Sequence, residues 1–130
     1  MACTRVSNSI VGKIVGVHHN TASLKAAVYQ QPVQVGVDAA ANNFHLYKSG
    51  IMSGTCGTHL DHAVTVVGYG EANVTVNGTT STMAYFKIKN SWTAHWGEKG
   101  YIRIAAGDTY NGGKGQCGVL AAPFYPAAVH

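Results

Sequence analysis

Two strand-like segments flank a short loop that contains both tryptophans of the chain, within residues 85–104. In residues 85–90 and 101–104, side chains alternate in the period-two pattern of half-buried strands. The loop between them holds Trp92 and a Trp-Gly pair at Trp96. Large aromatic side chains are rarely found in a connection unless they cover or bind something. We therefore expect two neighbouring strands whose loop shields a site.

The composition indicates one globular domain. The chain has 130 residues, of which 46% are hydrophobic, enough to build a core. Only 11% are charged, and no two lysines or arginines are adjacent although the net charge is +4. We therefore predict neither nucleic acid nor a membrane surface as a partner. No stretch has the length of a membrane span, and the first residues lack the apolar core of an export signal.

The first half of the chain contains a predicted helix and a predicted strand. Residues 22–30 carry apolar side chains at helical spacing, Asn20 or Thr21 is placed to cap them, and Pro32 ends the helix. Residues 32–38 alternate, which predicts a strand with one buried face formed by Val33, Val35 and Val37.

The other segments are shorter or less regular. Residues 39–57 resemble a long irregular connection, and the polar residues 71–82 resemble a hairpin that turns at Asn77-Gly78. Strands are predicted around Ile14, at 61–69 closed by Gly68-Tyr-Gly70, at 83–90 and at 100–106. One helix and five or six mostly antiparallel strands predict an α+β fold built on an antiparallel sheet or a partial β-barrel.

His62 is the first candidate for chemistry because it lies at the start of a predicted strand, where it can face a cleft. Imidazoles titrate near neutral pH, so a histidine there suits general base catalysis. A histidine satisfied by Asp61 or by backbone is the alternative. A metal site built from His59, Asp61 and His62 is disfavoured because strand positions three apart face opposite sides. We predict no metal ion and no cofactor.

Asn90 is the second candidate. It ends an otherwise apolar strand, and its side-chain oxygen can accept a ring N–H without adding charge. A turn-forming asparagine is the alternative, but Trp92 follows two residues later. A tryptophan over an Asn–His hydrogen bond would exclude water and strengthen that bond.

Together these residues resemble the papain-like cysteine proteases. The order of His, Asn-Ser-Trp and Trp-Gly is specific to that family, and the likeness extends to residues 33–39 and 44–54. The matching motifs are Leu60-Asp-His62-Ala-Val, Val67-Gly-Tyr-Gly70, Ile88-Lys-Asn90-Ser-Trp92, Trp96-Gly-Glu-Lys-Gly-Tyr-Ile-Arg-Ile104, Gln116-Cys-Gly118 and Phe124-Tyr-Pro126.

The resemblance implies that residues 1–130 form the C-terminal, or right, lobe of a papain-like fold. In that family a cysteine thiolate attacks a peptide carbonyl and forms a thioester. His62 matches the histidine base, Asn90 the residue that orients it, and Trp92 the shield. The nucleophilic cysteine and the oxyanion-hole glutamine belong to the left lobe, and no segment here resembles one. We therefore expect the chain to be inactive alone and to need a left lobe as partner.

The three cysteines allow one disulfide and one leftover thiol, and their spacing matches no zinc site. The resemblance pairs Cys56 with Cys117 and leaves Cys3 without its left-lobe partner. No tryptophan or helix start accompanies Cys3 to lower the pKa of its thiol, so we do not expect it to replace the nucleophile.

The resemblance also implies a specificity pocket for P2, the second residue before the scissile bond. Its positions are small or apolar apart from Asp61, which predicts a hydrophobic or aromatic P2 residue. An acidic residue at Ala122 would have indicated acceptance of arginine. One departure is Thr93, where the family usually has glycine, and its Cβ is expected to disturb the Trp92 loop. The predicted substrate-binding residues are Gly36, Leu60, Asp61, Ala63 and Ala122.

The remaining expectations concern the whole protein. Asn73-Val-Thr and Asn77-Gly-Thr are glycosylation sequons, which favour an export route to a lysosome, a vacuole or the exterior. The family's partners are peptide substrates, with cystatin-type inhibitors as candidates. The competing hypothesis is a non-catalytic truncated or duplicated lobe that binds or scaffolds, although such a lobe needs neither His62 nor Asn90. An isolated lobe should also expose its apolar cleft wall and self-associate there.

Overall fold

Seven strands form one mixed sheet in this computed structural model, which describes residues 12–128. The spatial order is β1-β7-β2-β4-β5-β6-β3, antiparallel throughout except for the β3–β6 pair. This open sheet confirms the α+β prediction. The elements are β1 (Gly12–Gly16), α1 (Thr21–Gln30), β2 (Val33–Val37), α2 (Asn42–His45), β3 (Ile51–Met52), β4 (His62–Val76), β5 (Thr79–Lys89), β6 (Tyr101–Ala105) and β7 (Phe124–Ala128), with 3-10 turns at Tyr110–Gly113 and Gln116–Gly118.

Helix α1 forms where its capping signal predicts. The Asn20 side chain accepts a hydrogen bond from the Ser23 N–H at 2.8 Å, which satisfies one free donor of the first turn. Leu24 and Val28 are buried at helical spacing. The helix ends before Gln31, whose extended backbone suits the residue ahead of a proline. This prediction is confirmed, with the helix beginning one residue earlier than expected.

The valines of β2 form the centre of the core. Val33, Val35 and Val37 are fully buried, as the alternation predicts. Gly36 lies on the other face of the sheet, directly opposite Ala63 of β4. On the other side of β4, strands β5 and β6 contribute the buried Phe86, Ile88, Ile102 and Ile104.

The prediction that Gly68-Tyr-Gly70 closes a strand is wrong. Strand β4 continues through it to Val76 and pairs with β5 along a long hairpin. A Cβ on Gly70 would lie 2.8 Å from the Tyr85 hydroxyl, so this glycine makes room for a cross-strand tyrosine and does not end the strand. The turn at Asn77 and Gly78 is confirmed, with φ of 51° and 79°.

Two other segments also differ from expectation. Residues 39–57 contain the one-turn helix α2 and the two-residue strand β3, which are both too short for periodicity to reveal. Strand β7 was missed because it contains Pro126, and a proline normally argues against a strand inside a sheet. The sheet therefore has seven strands where five or six were predicted.

A disulfide joins Cys56 to Cys117, 61 residues apart, and both residues are buried. This pairing, which the family resemblance implied, is confirmed. It ties the connection before β4 to the 3-10 turn that follows β6. Cys3 lies outside the described residues.

Removing this disulfide should destabilise the chain strongly, because it closes a loop of 61 residues. The chain-entropy model predicts that the Cys56→Ser/Cys117→Ser double variant loses about 4 kcal/mol of unfolding free energy. Urea denaturation followed by tryptophan fluorescence measures this loss. Cys3→Ser is the matched control because it leaves the disulfide intact. A loss under about 1 kcal/mol relative to that control would contradict the model.

Candidate active site

Two neighbouring strands bring His62 and Asn90 together. His62 is the first residue of β4, and Asn90 directly follows the last residue of β5. Because β4 and β5 are antiparallel, the start of one lies beside the end of the other. His62 Nε2 lies 2.7 Å from Asn90 Oδ1, a short hydrogen bond between residues 28 apart in sequence.

A second contact determines which histidine nitrogen carries the proton. Asn90 Oδ1 also accepts a hydrogen bond from the Ser91 backbone N–H at 2.8 Å. A backbone N–H only donates, so the atom that faces both groups is the amide oxygen. His62 Nε2 therefore donates its hydrogen to Asn90, and in the neutral ring Nδ1 keeps a free lone pair.

Asn90 is buried, and both of its observed side-chain hydrogen bonds are accepted by Oδ1. It is 4% exposed, and its Nδ2 has no hydrogen-bond partner among residues 12–128. The contacts with His62 and with the Ser91 N–H fix the orientation of the amide.

Trp92 covers the imidazole. Its ring stacks on His62 with the centroids 5.3 Å apart and the planes 22° from parallel. The indole also makes edge-to-face contacts with Phe44 and with Trp96, whose ring centroids lie 5.7 and 5.1 Å from its own. Thr93 is accommodated in the turn that follows, where its carbonyl accepts the Trp96 N–H at 3.0 Å.

Polar contacts fix the far end of the tryptophan loop. The Trp96 indole N–H donates to the His45 carbonyl at 3.1 Å. Glu98 accepts two hydrogen bonds from Arg103, at 2.9 and 3.0 Å, and one from the Gly50 N–H at 3.1 Å. The bonds from Arg103 hold the pKa of Glu98 below its usual value. The carboxylate therefore stays ionised and joins the loop to β6 and to the segment before β3.

Tyr47 completes this support. Its hydroxyl donates to the Gly50 carbonyl and accepts the Arg103 N–H at 3.4 Å. Burial raises the pKa of Tyr47 to about 12, so the phenol remains a donor at physiological pH. Its ring also packs against Trp96, with the centroids 5.6 Å apart.

Three of the predicted pocket residues lie together beside His62. Gly36 is paired with Ala63, and Leu60 packs over Gly36, where a Cβ would lie 3.1 Å from Leu60 Cδ1. A Cβ on Gly118 would lie 2.6 Å from Leu60 Cδ2, so glycines on two sides allow the leucine its position. Leu60 is 37% exposed and presents an apolar wall.

The other two pocket residues are placed differently. The Asp61 carboxylate accepts a hydrogen bond from the Ala39 N–H at 2.9 Å and so holds the chain after β2. The side-chain hydrogen bond observed for His62 is the one with Asn90. Ala122 is exposed in the segment before β7.

Sequence reasoning missed His45. Helix α2 buries Phe44 and leaves the adjacent His45 exposed. The His45 ring lies 5.8 Å from Trp92 and lines the same depression of about 290 Å³ as Asp61 and His62. The only sequence signal for His45 was its neighbour Phe44. A large apolar side chain indicates a buried position, so the residue next to it is expected to be exposed.

The remaining predicted sites lie apart from this cluster. Asn73 and Asn77 are exposed on the β4–β5 hairpin, where glycosylation stays a prediction. Within residues 12–128, no three His, Cys, Asp or Glu side chains are grouped to hold a metal ion. None of the helices described is both long and apolar enough to span a membrane.

The arrangement suits proton transfer at one atom. Among residues 12–128, no side chain or backbone group is hydrogen-bonded to His62 Nδ1, and a ring that took a proton there would still donate Nε2–H to a neutral amide oxygen. The indole of Trp92 lies over one face of the ring. Such an imidazole can activate a thiol or a hydroxyl that reaches Nδ1.

Comparison with known proteins identifies the family. The model of the "Papain family cysteine protease" matches residues 2–127. The senescence-specific cysteine protease SAG39 of Oryza sativa subsp. indica is 42% identical over 97% of this chain, and papaya proteinase 4 of Carica papaya is 43% identical over 94%. The bromelain protease of Ananas comosus, solved in complex with the E-64 inhibitor, superposes with a TM-score of 0.75 at 43% identity over 93% of this chain.

The match covers only part of each relative. The chain spans 35% of the rice protein, 32% of the papaya protein and 52% of the bromelain chain. Within that part the family model, the sequence identities and the superposed structure indicate the same family. The chain belongs to the papain family of cysteine proteases.

Proposed function

We propose that this chain is the right lobe of a papain-like cysteine endopeptidase and supplies the histidine base and its orienting asparagine for peptide-bond hydrolysis. The observation that carries this proposal is the geometry of Asn90. Its oxygen is held by the Ser91 N–H and accepts His62 Nε2–H, which leaves Nδ1 free for a thiol. The competing hypothesis, a lobe that only binds or scaffolds, does not require this pairing of His62 with Asn90.

The proposed mechanism uses both states of the imidazole. Nδ1 takes the proton of a cysteine thiol from the left lobe, and the thiolate attacks the peptide carbonyl carbon. The proton then passes from Nδ1 to the leaving amine as the C–N bond breaks and a thioester forms. Water attacks the thioester while Nδ1 accepts its proton, and return of that proton to the sulfur releases the acid.

Trp92 is proposed to protect this cycle. When His62 is protonated, the Nε2–H to Oδ1 bond is charge-assisted and stronger. The stacked indole lowers the local dielectric and keeps water from competing for that bond. Its packing on Phe44 and Trp96 fixes its position without support from a left lobe.

We propose that the nucleophile comes from a segment other than the described residues. Cys56 and Cys117 are joined in the disulfide and provide no thiolate. We propose that a left lobe carrying the cysteine completes the cleft, with the right lobe comprising residues 1–130. Peptides are the proposed substrates, and cystatin-type inhibitors are candidate ligands of the complete cleft. The disulfide suits an oxidising destination such as a vacuole, a lysosome or the exterior.

The apolar wall beside His62 supports the proposed P2 preference. Leu60 is partly exposed over Gly36, and the neighbouring Ala63 adds no polar group. An apolar wall favours hydrophobic or aromatic side chains by excluding water from them. Ala122 is proposed to close the base of this pocket.

The first prediction is that the 130-residue chain alone shows no peptidase activity. Co-expression with a papain-family left lobe should restore hydrolysis of a fluorogenic peptide that E-64 blocks. In the restored enzyme, His62→Ala should lower kcat/KM by roughly 10²–10⁴-fold because the base is lost. His59→Ala is the matched control, since His59 is exposed and only three residues away. E-64-sensitive activity of the isolated chain would instead contradict the need for a left lobe.

The second prediction concerns the histidine tautomer and needs no left lobe. At a pH where His62 is neutral, long-range ¹H–¹⁵N spectra should show Nε2 protonated and Nδ1 bare. Asn90→Ala should weaken this preference to that of a free imidazole, because Oδ1 is the acceptor of Nε2–H. Asn43→Ala is the control, as Asn43 is exposed and bonds to the Thr55 carbonyl. A bare Nε2 in the unmodified chain would refute the proposed roles of His62 and Asn90.

The third prediction tests the pocket in the restored enzyme. Ala122→Glu should raise kcat/KM for peptides with arginine at P2 relative to phenylalanine by about two- to fivefold, the size of an exposed ion pair. Ala122→Gln has a similar volume without the charge and serves as the control. An equal shift in both variants, or none in either, would remove Ala122 from the pocket.

A further inference from the structure

Residues 97–100, at the far end of the tryptophan loop, form a tight turn with an unfavourable backbone conformation. Gly97, Lys99 and Gly100 have φ of 61°, 56° and 91°, all in the left-handed region. Glycine adopts this region freely, but Lys99 carries a Cβ and is strained there. A Cβ on Gly97 would also lie 2.6 Å from the Tyr101 carbonyl oxygen. Such a turn persists only where the contacts around it fix its geometry.

Glu98, inside this turn, makes those contacts. Its side chain accepts two hydrogen bonds from Arg103 on β6 and one from the Gly50 N–H, which lies just before β3. Its backbone exchanges hydrogen bonds with Tyr101, at 2.9 and 3.1 Å. One residue therefore joins the strained turn to two neighbouring segments of the chain.

The contacts of Glu98 require both oxygens of a carboxylate. Oε1 accepts the Arg103 Nε–H, and Oε2 accepts hydrogen bonds from Arg103 Nη2 and from the Gly50 N–H. A glutamine has the same shape but only one acceptor oxygen, so its NH₂ group would face at least one of these donors. Removing the charge should therefore release one side of the turn without removing any packing volume.

The turn is connected to Asn90 by the backbone. The Gly100 carbonyl accepts a hydrogen bond from the Asn90 N–H at 3.0 Å, and the Gly100 N–H donates to the Trp96 carbonyl at 2.8 Å. The position of Gly100 therefore helps to set the backbone position of Asn90, whose Oδ1 accepts Nε2–H of His62. A turn that opened would displace the residue that orients the imidazole.

The turn is also connected to the indole that covers His62. Trp96 directly precedes the turn, and its ring lies 5.1 Å from that of Trp92. The Tyr47 ring packs against Trp96 at 5.6 Å, and its hydroxyl accepts the Arg103 backbone N–H at 3.4 Å. Trp92 in turn stacks on His62. The acceptor for the imidazole and the indole over it thus depend on the same turn.

We propose that Glu98 is a positioning residue for the candidate active site. Its carboxylate holds the turn at 97–100 closed, and the closed turn keeps Asn90 and Trp92 against His62. This role rests on the proposed function, because the orientation of His62 matters to a reaction only if His62 is the base. Glu98 acts on His62 only through other residues.

Glu98→Gln tests this role on the 130-residue chain alone. The nuclear magnetic resonance signals of the His62 ring protons should move toward those of a free histidine, because the ring-current effect of Trp92 decreases as the two rings separate. The preference for Nε2–H should also weaken. Glu71→Gln is the matched control, because it removes the same charge at an exposed position on β4 and should change neither property.

Arg103→Lys provides a second variant, which decides the question if Glu98→Gln does not fold. It keeps the positive charge but loses the paired donors, so it should move the His62 signals in the same direction by a smaller amount. Unchanged His62 signals in every variant that folds would overturn the proposal. Signals of Tyr69 that move as far as those of His62 would also overturn it, because they would indicate a general loosening of the sheet.

Kinetics in an enzyme restored with a left lobe separate positioning from substrate binding. Glu98→Gln should lower kcat by about 10–100-fold with little change in KM, because a displaced base affects the transition state more than the bound substrate. Glu71→Gln should keep both constants, and an unchanged kcat in Glu98→Gln would overturn the proposal. If no left lobe restores activity, the proposed function fails, while the spectra of the isolated chain still decide whether Glu98 positions His62.

Discussion

The hydrogen bond between His62 Nε2 and Asn90 Oδ1 depends on the pairing of β4 with β5. These strands cross the middle of the sheet and are covered on one side by β2 and on the other by β6. Their long antiparallel ladder places the start of β4 beside the end of β5, and their buried side chains keep the register from slipping. A shift by one residue would turn Asn90 to the opposite face and break its contact with His62. The geometry of the site therefore depends on the packing of the core.

Several contacts hold the loop around that hydrogen bond. Asn90 is buried, and its Nδ2 has no partner in the described chain. The surrounding loop is nevertheless firmly held. Trp92 packs against Phe44 and Trp96, while Tyr47 and the Glu98–Arg103 pair fasten the far end of the loop to β6. The role in proton transfer that we propose for His62 requires such support.

Periodic segments were predicted well and short or proline-containing ones were not. The cap at Asn20 and the buried valines of β2 follow from local patterns that the structure reproduces. The glycines at 68 and 70 were wrongly interpreted as a strand end. Gly70 instead makes room for the side chain of Tyr85 on the neighbouring strand. His45 was missed since its role as a neighbour of Trp92 depends on residues 47 positions later in the chain. Each error concerns a cross-strand or tertiary contact.

The sequence by itself determined the kinds of element, the α+β class and, through its motifs, the residues His62, Asn90 and Trp92. These are matters of local periodicity and of side-chain chemistry, which neighbouring residues express. Only the tertiary structure decided that Nε2 faces the asparagine and Nδ1 is free, and that Gly100, just before β6, meets Asn90. Those outcomes depend on strand register and on where each neighbouring strand ends, and both are set by packing between residues far apart in the chain.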